Sequence, residues 1–485
     1  MNTVQLPEHR QLFYGGAWHD PAEGGMVESF SPSTGESHGK VANGMQRDGQ
    51  LAIAAAQAGF ETWRAVAPLE RAKLLREAAA VIREHGDELA MLDAADCGNP
   101  VAALKRDAAT AVSRLEFFAG LVTEMKGDTI PMGSGRLNYT LREPLGVCTR
   151  IVAFNHPFQF CLSKMAAPLA AGNSVIVKPS EQAPLSGLRI AELIGHLFPP
   201  GVVNILTGGR ELGETLSSHP GVASVSLVGS VPTGRAIMKA AADTLKAVSL
   251  ELGGKNPLIA FPDADPEAVA AAAVSGMNFA WCGQSCGSLS RVFVHDSIHD
   301  EVLERIAAHV AKFKPGLPTD PETKMGALVS KAHLDRVQSY VRSGIEEGAR
   351  LAYGGGEITD PALSRGNFMQ PVILADVTAN MRVAREEIFG PVQCIIRWSD
   401  EAQMLREVND VEYGLTAAIY TGDLANAHRA AAAVEAGYVW VNENSRHFLG
   451  APFGGYKQSG IGRDECLGEL LAFTREKNIH IRFAD

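Results

Sequence analysis

Apolar residues along the chain recur with two different periods. Between residues 47 and 123 they return at helical spacing, as in LERAKLLREAAAVIREHGDELAML, where charges fill the gaps, and this predicts a helical block. Upstream, residues 1–45 are rich in Gly and Pro with short apolar alternations, which predicts a meander on the surface of a domain. GRLNYTLREPLGV (135–147) alternates polar and apolar positions and reads as extended. The texture then changes. GVCTRIVAF (146–154), SVIVKPSE (174–181), GVVNILTGG (201–209), SVSLVGS (224–230) and KAVSLELGG (246–254) are apolar runs of strand length, most of them running into a Gly- or Pro-marked loop. LSGLRIAELIGHLF (185–198) and PTGRAIMKAAAD (232–243), lying between such runs, are helical in pattern. This alternation predicts a parallel, doubly wound sheet. It restarts after Pro257 with PLIAF, a helix over 265–280, RVFVH, a helix over 297–313, and so on to GYVWVNEN (437–444), a second α/β domain. The tail KNIHIRF (477–483) alternates again and is expected to pair with 135–147, within a subunit or across a dimer.

Composition narrows the function classes. A chain of 485 residues, 46% hydrophobic, is expected to form two or three domains with a sizeable core. Its net charge of −11, without a Lys/Arg-rich run, argues against nucleic acid and anionic membrane as partners. Apolar stretches are interrupted before membrane-spanning length, and MNTVQLPEHRQ lacks the basic-then-apolar order of a signal peptide. Seven scattered cysteines, an odd number, suit a reducing cytoplasm better than a disulfide framework.

Two of those cysteines stand four apart in FAWCGQSCGSLSR (279–291). CxxxC is not a zinc or thioredoxin-like spacing, and no second cluster follows at metal spacing, so no metal is expected. If Gly283-Gln284 break the preceding helix, Cys286 lies at a loop or helix start, where free amides lower a thiol pKa and face an oxyanion. Cys282, one helical turn back, reads as packing. Glu251 ends an apolar strand directly before Gly-Gly. A carboxylate there is either a salt-bridged terminus or a group of raised pKa able to act as a general base. GSVPTG (229–234) lacks the Lys-Ser/Thr of a phosphate-binding loop, leaving a tight strand–helix turn whose amides are able to face an anion. Lys178 and Glu181, just past a strand, are either a solvated pair or a pair that holds a ribose.

Together the motifs AFNHP (153–157), VKPSE (177–181), VGSVPTG (228–234), LELGGKNP (250–257), GQSC (283–286), EEIFGP (386–391) and PFGGYKQSGIGR (452–463), in this order, resemble the aldehyde dehydrogenase superfamily over nearly the whole chain. The resemblance implies a Rossmann-like NAD-binding domain (1–124 and 146–252), a catalytic domain (253–457) and a small bridging sheet for oligomerisation (125–145 and 470–485). It implies Cys286 as nucleophile, Glu251 as general base, and Asn155 with the Cys286 amide as oxyanion hole. For the cofactor it implies Lys178 and Glu181 at the adenine ribose, Gly229 and Ser230 at the pyrophosphate, and Glu387 and Phe389 at the nicotinamide. Ile151, Val152, Phe154, Gly213, Gly234 and Leu252 complete that cleft. NAD is expected over NADP because Glu181 repels the extra phosphate.

Asp464 falls where many members of the family have Glu, on a proposed proton path to the base. His156, Phe160, Ser163, Ser285, Arg446 and His447 are expected to line the substrate pocket. His156 replaces an aromatic or apolar residue, and the small Ser163 suits a wide, aromatic substrate. Arg446 is either a holder of a substrate carboxylate or a solvated or inter-subunit loop residue. The expected activity is NAD-dependent oxidation of an aldehyde to the acid by a cytoplasmic homodimer or homotetramer. Two rivals are a CoA-acylating enzyme, against which Glu251 speaks, and a non-catalytic binding or structural member of the fold.

Overall fold

The computed structural model describes residues 4–483. Two mixed but largely parallel sheets form its frame. The first has eight strands in the order Ala17–His19, Leu12–Tyr14, Val203–Ile205, Ser174–Lys178, Val147–Ile151, Ser224–Val228, Ala247–Glu251, Gly460–Ile461. The five strands from Val203–Ile205 to Ala247–Glu251 are parallel, as the alternating pattern predicts. The central ones are buried on both faces, which is why they read as continuous apolar runs. Helices Gln46–Trp63, Pro68–Glu84, Gly86–Cys97 and Val101–Gly120 fill the predicted helical block.

The N-terminal reading needs correction. Leu12–Tyr14 is buried and pairs with the first sheet through Phe13↔Ile205. Its three consecutive apolar residues face two different cores, Phe13 one and Leu12 and Tyr14 the other. Only the hairpin Met26–Phe30/Ser37–Ala42 lies at the surface as a meander should. A helix at Arg210–Ser218 was not expected, because just Leu212, Leu216 and Ser217 of its nine residues are buried and the apolar stripe is too sparse to read.

The second sheet has seven strands in the order Arg350–Tyr353, Val372–Ala375, Val392–Trp398, Arg291–His295, Pro257–Ala260, Thr416–Tyr420, Tyr438–Val441. All are parallel except the edge strand Arg350–Tyr353. A third, antiparallel sheet joins Thr474–Arg482 to Arg136–Pro144, in register from Thr474↔Pro144 to Arg482↔Arg136, with Thr129–Ile130 outside it. The predicted pairing of the tail therefore forms within the chain. Gly460–Ile461 crosses back to the first sheet and sets Gly460 opposite Glu251, so the residues after PFGGYKQSG arrive beside the strand end that carries the carboxylate.

Candidate active site

The segment that carries the two cysteines is a closed loop, not a helix. The helix over 265–280 stops early, at Gly276. Asn278 and Cys282 then adopt left-handed φ of 58° and 54°, with a short 3-10 turn between them, and the Leu289 N–H closes the loop onto the Gly276 carbonyl at 2.8 Å. Cys282 is thus not one turn back on a helix. It is buried all the same, with its Sγ 3.6 Å from the Ala327 carbonyl. Cys286 is the one cysteine of seven that is not fully buried.

Three contacts fix the Cys286 backbone. Asn256 Nδ2 donates to the Cys286 carbonyl at 2.7 Å and to that of Ser288 at 2.9 Å. A Cβ on Gly254 would stand 2.4 Å from the same Cys286 oxygen, so the strand exit must be glycine there. Gly283, at φ 66°, lies against the Gly390 carbonyl, which a Cβ would approach to 2.3 Å.

Burial pushes the Cys286 thiol up to about 12, the Glu387 and Glu251 carboxylates add to this, and Lys164 opposes it. The expected lowering does not occur. Cys286 is enclosed and does not start a helix, and two carboxyl groups stand near it.

Asn155 follows the strand Val147–Ile151 and is 3% exposed. Its Nδ2 donates one hydrogen to the Gln284 carbonyl at 2.9 Å, two residues before Cys286, and keeps a second hydrogen. Its own carbonyl accepts from Asn99 Nδ2 at 2.9 Å. Glu251 is the last residue of its strand and is 7% exposed, and neither carboxyl oxygen has a hydrogen-bond partner. The salt-bridged terminus is therefore not what forms. Burial raises this carboxyl well above the usual range. Asp464, Glu465 and Glu469 add to the rise, and Lys164 works against it.

Lys164 and Asp464 form a buried ion pair. Behind them Glu465 joins Arg114 and His447, and Glu469 stands 3.7 Å from Arg150. Asp464 was foreseen; Lys164, Arg114, Glu465 and Glu469 were not. A lysine inside the apolar helix FQFCLSKMAAPLAA was the available signal for Lys164.

The residues expected at the cofactor fall at or just past strand ends of the first sheet, on the helices Arg210–Ser218 and Val231–Ala242, and on the segment before Val392–Trp398 that carries Glu387 and Phe389. Lys178 closes its strand, 4% exposed, with Nζ 3.5 Å from the exposed carboxylate of Glu181, and burial lowers its pKa. A Cβ on Gly213 would stand 3.9 Å from Lys178 Cε. Ile151 is in register with Lys178, and the Val152 N–H bonds the Lys178 carbonyl at 3.1 Å. Ser230 precedes the helix Val231–Ala242, while the Gly229 N–H is spent on the Glu251 carbonyl at 3.0 Å. Gly234 and Leu252 pack together, since a Cβ on Gly234 would reach 2.8 Å from a Leu252 methyl. Glu387 Oε1 accepts the Gly254 N–H at 3.1 Å, and burial lifts that carboxyl to about 7. Phe389 is left-handed at φ 57° and lies edge-on to Phe154 at 5.8 Å between ring centroids. A strand-end lysine and carboxylate, a helix start and a second buried carboxyl suit a dinucleotide: hydroxyl-binding groups at the two ends and amides between.

The expected substrate residues divide. His156 and Phe160 form a run of rings with Trp281, which was not foreseen, the centroids 5.2 Å apart from His156 to Phe160 and 5.3 Å from His156 to Trp281. Ser285 takes a long contact of 3.4 Å from Asn278. Ser163 is enclosed at 2% exposure and accepts from Gln159 at 3.0 Å. Arg446 is exposed and paired with Glu443 at 3.4 Å, the solvated alternative. His447 is held by Glu465 and packs on Phe453 at 4.5 Å.

A family model described as the aldehyde dehydrogenase family matches residues 18–479. The chain is 53% identical to aldehyde dehydrogenase tropH of Talaromyces stipitatus over 483 residues, covering 98% of this chain and 94% of that one. It superposes on P. syringae AldA, an indole-3-acetaldehyde dehydrogenase solved with NAD+ and IAA, with a TM-score of 0.96 at 34% identity, covering 99% and 98% of the two chains. On the NAD+ complex of an aldehyde dehydrogenase from Bacillus cereus the TM-score is 0.95 at 37% identity, covering 98% and 97%. With motif order, sheet topology and whole-length similarity in agreement, the chain belongs to the aldehyde dehydrogenase family, whose reaction is the oxidation of aldehydes.

Proposed function

We propose that this chain oxidises an aromatic or otherwise bulky aldehyde to its carboxylic acid, with NAD as cofactor, through a covalent intermediate on Cys286. One observation carries the reading. The one incompletely buried thiol lies in the loop whose Gln284 carbonyl accepts from Asn155 Nδ2, and Glu251, a buried carboxyl without a hydrogen-bond partner, is among the groups that act on it.

The chain's own groups account for the steps. The Cys286 thiol gives its proton to water, its sulfur adds to the aldehyde carbon, and the charge that develops on oxygen is held by the free hydrogen of Asn155 Nδ2 and by the Cys286 N–H. Removing one such donor typically costs roughly 10²–10³ in rate. The C–H bond of this adduct then breaks and its electron pair goes to the two-electron acceptor that bound NAD would supply, which leaves a thioester on Cys286. Glu251 then takes a proton from the water that cleaves the thioester. A raised carboxyl pKa suits that task, because the ionised carboxylate is a stronger base than an ordinary one. Lys164 and Asp464, which act on Glu251 electrostatically, are the groups through which that proton leaves.

Glu181, exposed and within 3.5 Å of Lys178, favours NAD by repelling a 2′-phosphate. NAD+ complexes among the structural relatives support that choice. The three-stranded sheet, with the outward strand Thr474–Arg482, supports a bridging role in a dimer or tetramer. In rapid-mixing absorbance, Cys286→Ala should give no NADH, and Glu251→Gln a first-turnover burst without steady turnover. Steady turnover by Cys286→Ala would sink the reading.

A further inference from the structure

His156 follows the oxyanion-hole asparagine directly, and Trp281 sits in the Cys286 loop five residues before the sulfur. Their rings lie 5.3 Å apart at 39°, and Phe160 extends the wall from His156 at 5.2 Å. Two features of this wall are unused by the oxidation itself. The buried Asp107, on the helix Val101–Gly120, accepts from His156 Nδ1 at 2.8 Å. A carboxylate partner places the proton on Nδ1, so Nε2 is left as an acceptor, and it has no hydrogen-bond partner among the described residues. Trp281 Nε1, which can only donate, is shielded from solvent and has no partner either. The guanidinium of Arg106, 5.0 Å from the Trp281 ring, covers that ring and fixes its place.

A wall of aromatic rings with one unused donor and one unused acceptor is complementary to a particular substituent. A hydroxyl oxygen accepts from Trp281 Nε1–H while its proton goes to His156 Nε2. An ether offers no proton, and a carboxylate offers none and is repelled by Asp107. We propose that His156 and Trp281 determine specificity for aromatic aldehydes that carry a ring hydroxyl, with Asp107 as the positioning residue that sets the His156 tautomer. This rests on the aldehyde oxidation proposed above and names its substrate class.

The test compares benzaldehyde, its three monohydroxy isomers and the matching methoxy compounds. For the isomer whose hydroxyl reaches the pair, kcat/KM should exceed that of benzaldehyde and of its methoxy analogue by about tenfold or more, since a site built to bond a hydroxyl rejects its absence. Trp281→Phe keeps the ring and removes the donor, and His156→Phe removes the acceptor. Each should bring the ratio to within about threefold of unity, mainly through KM, and Asp107→Asn should lower it in part. Titration calorimetry on Cys286→Ala reads binding alone and should give the same order of affinities.

A wild-type enzyme that shows no preference for any hydroxy isomer, in turnover or in calorimetry, overturns the inference, as does a preference that survives both ring substitutions. Hydroxyl-selective binding without oxidation of any aldehyde would leave this site standing and overturn the proposed activity. Unselective turnover would do the reverse.

Discussion

Asn256 Nδ2 lies 2.7 Å from the carbonyl oxygen of Cys286 and 2.9 Å from that of Ser288, while its Oδ1 accepts the Thr416 N–H at 3.0 Å. One side chain, 1% exposed, thus ties the nucleophile's loop to a strand of the second sheet. Asn256→Ala strips the Cys286 carbonyl and the Thr416 N–H of this partner, while the Ser288 carbonyl keeps the Ser290 N–H, at a cost of about 1–3 kcal/mol for each group left buried and unsatisfied. The expected outcome is a lower unfolding midpoint together with a fall in kcat larger than any change in KM, because the sulfur loses its fixed position. Denaturant titration and steady-state kinetics check it; a variant matching the parent in both would show that the loop holds itself.

Gly283 is constrained in two ways. Its φ of 66° is left-handed, and a Cβ would stand 2.3 Å from the Gly390 carbonyl oxygen. Left-handed backbone costs a substituted residue about 1–2 kcal/mol, and the clash is with backbone that cannot swing away. Gly283→Ala should therefore lose most activity and stability. Gly287→Ala in the same loop is the control, since the nearest atom is 3.9 Å away and the backbone is not left-handed. Equal tolerance of both substitutions in thermal melts would show that the Gly390 loop yields.

The parallel strands of both sheets were legible because each is a short apolar run ending at Gly, Pro or a charged residue. Cys286, Glu251 and Asn155 stood out as candidates because each sits in one of a series of motifs in a fixed order. What was not legible depends on contacts distant in sequence. Leu12–Tyr14 joins the first sheet only through Phe13↔Ile205. Lys164 acquires meaning when a residue three hundred positions away pairs with it. Asp107 is one acidic residue on a long helix until His156 is packed onto it at 2.8 Å. The Cys286 thiol pKa was misjudged for the same reason. Free amides follow from the local turn, but the carboxylates of Glu387 and Glu251 come from other segments of the chain.

With that thiol pushed up to about 12, the thiolate is a small fraction at neutral pH and grows with each unit. Alkylation by iodoacetamide should label Cys286 alone among the seven cysteines, since the other six are buried. Its rate should rise about tenfold per pH unit between about pH 7 and 10, without a plateau. Peptide mass analysis gives the site and quenched time courses give the rate. A plateau below about pH 9 would mean that a cation such as Lys164 outweighs burial.

Glu251 should weaken the fold it serves. Its ordinary value is 4.5, and burial among Asp464, Glu465 and Glu469 raises it well above that. Above 4.5 the unfolded chain gives up this proton while the native protein keeps it, so the unfolded state binds fewer protons. Stability therefore falls as pH climbs from the ordinary value through the raised one, where the native carboxyl is at last forced to ionise. Glu251→Gln removes the ionisation and with it the loss. Glu469, lifted to about 7 by burial, titrates in both proteins, so the difference between the two melting temperatures reads Glu251 together with its repulsion from Glu469. That difference should favour the inactive variant and widen by a few degrees from about pH 5 to pH 9. A constant gap, or a parent that gains on the variant as pH rises, would mean that Lys164 holds Glu251 ionised throughout.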